Sequence, residues 1–198
     1  MTIRSIVLCL AFPVITVFTV HAQDIHFGVK AGGDLDKLSG RSFTGQFKWG
    51  YSAGGFAEIG FGKWGFQPEL AWSQTNLQTA SDFNVVFPQY GGLNSANVQL
   101  NYLTIPLLVT YRPLNVLSVM AGPQFGYLIN REGTMTEYTN NEIKKGDISV
   151  VGGFQLNLSK FRVGARYFVG LNQLNNLSSS LDSWKNQGLQ IYLGYRIR

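Results

Sequence analysis

Phe161-Arg162-Val163-Gly164-Ala165-Arg166-Tyr167-Phe168-Val169-Gly170-Leu171 alternates with a period of two. Its odd positions are Phe, Val, Ala, Tyr, Val and Leu; its even positions are Arg, Gly, Arg, Phe and Gly. That is a strand whose two faces meet different surroundings. The closing segment repeats the pattern: Leu189, Ile191, Leu193, Tyr195 and Ile197 alternate with Gln190, Tyr192, Gly194 and Arg196.

Six further segments follow the same rule: Ile25–Gly33, Trp49–Phe61, Trp64–Ser73, Gln99–Arg112, Val116–Asn130 and Ile148–Leu158. The total of eight strands is even, as a closed up-and-down barrel requires. Composition agrees, with 23 Gly, 14 Phe, 9 Tyr, 4 Trp and only 14% charged residues. The connections alternate in length. Gly62-Lys63, Pro113-Leu114-Asn115 and Ser159-Lys160 read as tight hairpins. Asp34–Lys48, Gln74–Val98, Arg131–Asp147 and Asn172–Gly188 read as long loops. Short turns on one rim and long loops on the other are the outer-membrane arrangement, with the long loops outside the cell.

The first 22 residues have the form of an export signal. Arg4 precedes an apolar run, Ile6–Val20, and Val20-His21-Ala22 offers a cleavage site before Gln23. The run is short for a membrane helix. The expected domains are a cleaved signal peptide, 1–22, and an all-β barrel, 23–198. Cleavage removes Arg4, so the chain's net charge of +5 falls by one. It also removes Cys9, the one cysteine, leaving no thiol or disulfide chemistry. No basic run carries interleaved aromatics, so nucleic acid is not an expected partner.

A lipocalin is also an eight-stranded barrel, with its apolar face inside. Here the apolar stripe is continuous and tipped with aromatics. Phe27, Phe61, Trp64, Tyr111, Phe161 and Tyr195 fall near the short-turn rim, and Tyr51, Trp72 and Tyr127 near the other. Two aromatic belts around an aliphatic band match the two interfaces of a bilayer. The opposite face mixes Gly, Ser, Gln, Glu, Lys and Arg, which suits a narrow polar lumen filled by side chains. The expected fold is therefore an eight-stranded antiparallel up-and-down transmembrane β-barrel in the bacterial outer membrane, with outer-membrane lipid as its surroundings.

Leu100-Asn101-Tyr102-Leu103-Thr104-Ile105-Pro106-Leu107-Leu108-Val109-Thr110-Tyr111, then Ala121-Gly122-Pro123-Gln124-Phe125-Gly126-Tyr127, resembles the PorT-type outer-membrane β-barrel domain common in Bacteroidota. Gly28-Val29-Lys30-Ala31-Gly32 and Gly65-Phe66-Gln67-Pro68-Glu69-Leu70 share the resemblance. It implies the barrel fold and an association with type IX secretion and gliding machinery. The sequence departs from outer-membrane barrels that end in an aromatic residue, since it ends Tyr195-Arg196-Ile197-Arg198.

Candidate chemistry is sparse. Gly60-Phe61-Gly62-Lys63-Trp64-Gly65 matches a dinucleotide fingerprint, but a strand follows it where that fingerprint needs a helix, so it reads as a hairpin turn. His26 is the one histidine beyond the signal segment, and it sits at the short-turn end of strand one. A lipid A-modifying site would lie at the other end, so no catalytic residue is expected. One His and no Cys also make a transition-metal site unexpected, and no cofactor is expected. Asn157-Leu158-Ser159 and Asn176-Leu177-Ser178 match a glycosylation sequon that carries little meaning in a bacterium.

The inward face should carry Lys30, Glu58, Glu69, Arg162, Arg166 and Arg196. The Gly62-Lys63 turn pairs Phe61 with Trp64 and puts Glu69 opposite Phe56 and Glu58 opposite Gln67. The Ser159-Lys160 turn puts Arg162 opposite Asn157, and Arg166 opposite Gly153, where the missing side chain should leave room for a guanidinium. Unpaired buried charge is costly, so each glutamate should meet at least one of these cations, with Arg166 as the expected hub. Pro106 and Pro123 lie inside strands without a ladder N–H, which suggests bulges. The loop residues Phe83, Val85, Val86, Phe87, Tyr90 and Leu93 are either a partner site or a strand extension above the membrane.

These readings point to a non-enzymatic scaffold or interaction barrel, an accessory of an envelope or type IX secretion machine that meets an envelope protein through long extracellular loops. The alternatives are a narrow channel for small solutes and a lipid A-modifying outer-membrane enzyme.

Overall fold

The computed structural model describes residues 24–39, 47–78, 97–133, 146–171 and 185–197. The expected signal peptide, the loop aromatics from Phe83 to Tyr90 and Ser178 lie outside the described residues.

Eight strands follow in order: β1 (Asp24–Ser39), β2 (Lys48–Phe61), β3 (Trp64–Gln78), β4 (Asn97–Leu114), β5 (Leu117–Gly133), β6 (Gly146–Leu158), β7 (Phe161–Gly170) and β8 (Lys185–Arg196). Each pairs antiparallel with its neighbour in the chain, and β8 returns to β1, closing the barrel. Closure leaves no strand edge, which satisfies every wall in hydrocarbon.

Strand ends depart from the sequence reading. β1 runs on to Ser39, so Asp34 and Asp36 belong to the wall and not to a loop. β3 extends to Gln78, β5 to Gly133, and β8 begins at Lys185. Polar residues above the bilayer can stay in a ladder, because hydrogen bonding to a neighbour does not require an apolar face. The β4–β5 turn is the two residues Asn115-Val116, in place of the expected Pro113-Leu114-Asn115. Pro113 sits at a register shift between Tyr111 and Leu114, which carries β4 on to Leu114. A residue without a ladder N–H suits such a bulge.

The other two short turns hold their expected register, Phe61 with Trp64 and Leu158 with Phe161. Gly62 takes φ 67° and Ser159 φ 56°, each at the first turn position, where a two-residue hairpin of the II′ kind needs positive φ.

Side chains obey the alternation. Leu108 is fully buried in the lumen, while Val109 beside it is 51% exposed on the outer face. The outer aromatics meet as cross-strand pairs: Trp64 with Tyr111 at 4.8 Å and Phe161 with Tyr195 at 5.4 Å on the short-turn side, and Tyr51 with Trp72 at 5.5 Å on the other. Inside, three rings fold over the glycine opposite: Phe56 over Gly28, Tyr192 over Gly164 and Phe168 over Gly188. A Cβ on Gly164 would fall inside the Tyr192 ring's contact distance, so a large aromatic and a bare glycine share one space. The lumen core is Leu108, Met120, Val151 and Phe168.

Pro106 and Pro123 do not form bulges. Register is the same on both sides of each. Instead, paired residues are missing where a proline withholds its N–H. The β2–β3 pairing skips from Phe56–Glu69 to Ile59–Phe66 at Pro68. The β3–β4 pairing skips from Pro68–Leu107 to Ala71–Thr104 at Pro106. The β4–β5 pairing skips from Pro106–Gln124 to Val109–Ala121 at Pro123. The three gaps step across neighbouring strands.

Candidate functional site

The lumen is layered by charge. Near the short-turn rim, Glu58 of β2 receives Arg162 of β7 through Nε to Oε1 at 2.7 Å and Nη2 to Oε2 at 3.0 Å. The remaining Arg162 nitrogen, Nη1, donates to the carbonyls of Ser159 and Phe161 at 2.9 and 3.0 Å. Gln155 adds a longer contact to Glu58 at 3.4 Å.

One layer up, Glu69 of β3 sits between two cations. Lys30 of β1 and Arg166 of β7 both bond Oε2, the latter at 2.8 Å, and Gln67 donates to Oε1 at 2.9 Å. Arg166 Nε donates to Gln190 at 2.5 Å, and Gln190 in turn donates to Ser52 at 2.8 Å. The Tyr192 ring lies under both cations, 4.9 Å from Lys30 Nζ and 5.3 Å from Arg166. Its hydroxyl donates to Gln155 at 2.8 Å, linking the two layers.

The structure therefore brings together five of the six expected lumen charges: Lys30, Glu58, Glu69, Arg162 and Arg166. Glu69, not Arg166, is the residue that gathers two partners of opposite charge. Arg196 points to the lumen mouth but forms no ion pair among the described residues. Gly153 makes room for the backbone and Cβ of Arg166, not for its guanidinium, since those are the atoms an added Cβ would strike. His26 pairs with Glu58 across the β1–β2 ladder near the short-turn rim.

Sequence reasoning missed an acidic upper layer. Asp34 accepts from Ser52 and Ser73, both at 3.3 Å. Asp36 accepts from Thr75 at 2.6 Å, and Asp147 from Ser149 at 3.2 Å. The signal was there: Asp34 and Asp36 keep the parity of Lys30, and Asp147 that of Gln155. A polar cavity of about 30 Å³ lies here, lined in part by Asp34, Asp147 and Asn186. Among the described residues no three His, Cys, Asp or Glu groups converge as a metal site would need.

The sequence also missed Arg112. With Arg162, Arg196, Asn115, Asn157 and Ser159 it lines a cavity of about 240 Å³ at the short-turn mouth.

An antiparallel, closed, eight-stranded wall with an apolar outside and a charged, filled inside defines an outer-membrane β-barrel. The chain belongs to the family of the outer membrane protein beta-barrel domain, which matches residues 21–176. The protein is accordingly a protein of the bacterial outer membrane. Among solved structures it is similar to Neisserial surface protein A, at 10% identity and TM-score 0.55, covering 88% of this chain and 100% of that one. It is also similar to Ail, the attachment invasion locus protein of Yersinia pestis, at 13% identity and TM-score 0.49, with 88% and 100% covered. No curated protein matches it in sequence.

Proposed function

We propose that this barrel is a non-enzymatic, membrane-embedded scaffold or interaction protein whose work is done at its rims. The observation that carries the reading is the filled lumen: two ion-pair layers joined through Tyr192, with Leu108, Met120, Val151 and Phe168 packed beside them. At about eight strands the interior has room for side chains and little else. A solute path would require both layers to open, each leaving buried charge unpaired. The resemblance of Leu100–Tyr111 to PorT-type barrels directs the partner search to envelope and type IX secretion components, with the long loops as the contact surface. Planar-bilayer recording and co-purification from native membranes test the reading together. The expected result is no discrete conductance and a recovered envelope protein. Reproducible single-channel steps would favour the channel instead, and a change in lipid A mass on deleting the gene would favour the enzyme.

A further inference from the structure

The cavity at the short-turn mouth is lined by three guanidiniums from three strands, Arg112 of β4, Arg162 of β7 and Arg196 of β8. Among the described residues, one of them is engaged. Arg162 is held by Glu58 and by two carbonyls. The side chains of Arg112 and Arg196 have no hydrogen-bond or ion-pair partner among the described residues. The carboxylate whose field they share, Glu58, is already chelated by Arg162. Asp24, exposed at the same rim, makes no ion pair with Arg112 among the described residues. Among the described residues, three guanidiniums and no carboxylate line this cavity, and one of the three, Arg162, is held in an ion pair, by Glu58 behind it.

The frame holding these groups is fixed. Arg112 donates its backbone N–H to the Lys63 carbonyl at 2.7 Å, Asn157 to Val116 at 2.8 Å and Arg196 to Lys160 at 2.7 Å. Each short turn is thus pinned to a strand that supplies a lining residue. Asn115, Asn157 and Ser159 add neutral polar groups between the arginines.

We propose that this mouth is a binding site for a phosphate dianion, as a free phosphomonoester or a lipid-borne one, entering from the short-turn side. The two guanidiniums that form no ion pair among the described residues match a dianion. Donors arriving from different strands surround a tetrahedral oxyanion better than a flat carboxylate, and guanidiniums are the preferred partners for phosphate oxygens. On the usual outer-membrane orientation this mouth faces the periplasm. The site is separate from the long loops, so it stands whether or not they bind a partner.

The test uses protein purified in detergent free of lipopolysaccharide, titrated with inorganic phosphate by calorimetry and phosphorus NMR. One saturable site is expected, weakened by about tenfold or more in Arg112→Gln and in Arg196→Gln, each of which removes a charged hydrogen bond. Arg162 is left alone because Glu58 depends on it. Retention of the heat-modifiable folded band on gels certifies each variant, and the wild-type titration decides the matter if a variant fails to fold. Glycerol 3-phosphate and dihexanoyl phosphatidic acid then compete. Displacement by either supports the site and identifies its source. Unsaturable phosphate binding, binding unchanged in both folded variants, tighter binding of succinate than phosphate, or displacement by neither ester would overturn it.

Discussion

Arg162 grips Glu58 through two parallel contacts, 2.7 and 3.0 Å long, reaching across the lumen from β7 to β2. Both side chains are nearly sealed from solvent. Removing one partner strands a buried charge, which costs about 3–5 kcal/mol. Glu58→Leu should therefore lower the unfolding free energy of the barrel in lipid vesicles, measured by urea titration, by that amount. Adding Arg162→Leu should restore a large part of it. A double variant as weak as the sum of the singles would show that the pair is not coupled.

Leu107, Leu108 and Val109 lie on alternating faces. Leu107→Arg and Val109→Arg place a cation against hydrocarbon and should each destabilise the barrel by roughly 2–4 kcal/mol near mid-membrane. Leu108→Ala instead opens a void in the lumen core, at about 2–5 kcal/mol. The two classes separate by solvent: exchanging bilayer for a polar amphipathic polymer should relieve the arginine variants and leave the alanine variant unchanged. Equal relief in all three would contradict the face assignment.

Gly164 is covered by the Tyr192 ring. Gly164→Ala must push that ring away, breaking its bond to Gln155 and its stacking under Lys30 and Arg166. Overpacking of this kind costs about 1–3 kcal/mol. Tyr192→Leu in the same background should recover part of the loss, measured by equilibrium unfolding. No interaction energy between the two changes would mean that the ring does not occupy the space in solution.

Orientation is read by chemistry on engineered thiols. Phe47→Cys, at the long-loop end of β2, should react with a membrane-impermeant maleimide on intact cells. Lys63→Cys and Lys160→Cys, in short turns, should react only once the outer membrane is permeabilised. The reverse pattern would turn the barrel over, and would also place the phosphate site outside the cell.

The wall was legible in the sequence because a sheet between lipid and lumen imposes a period of two on every strand. Register was legible at Gly62-Lys63 and Ser159-Lys160, where a two-residue turn leaves one pairing. It failed at Pro113, where a bulge absorbs a residue without changing the local composition. The lower charge layers followed from parity. The upper layer did not, because Asp34, Asp36 and Asp147 look like loop residues by polarity, and polarity alone cannot tell a loop from a strand that has left the bilayer. Nor can a sequence show that Arg112 and Arg196 share a mouth, since strands far apart in the chain meet there only once the cylinder closes.

The three proline gaps make the wall mechanically uneven. Missing pairs on β2–β3, β3–β4 and β4–β5 form a diagonal of reduced stiffness, while the β6–β7 and β7–β8 ladders are uninterrupted over their paired runs. Backbone amides flanking that diagonal have fewer ladder partners to hold them, so local opening of the wall starts there and not on β7 or β8.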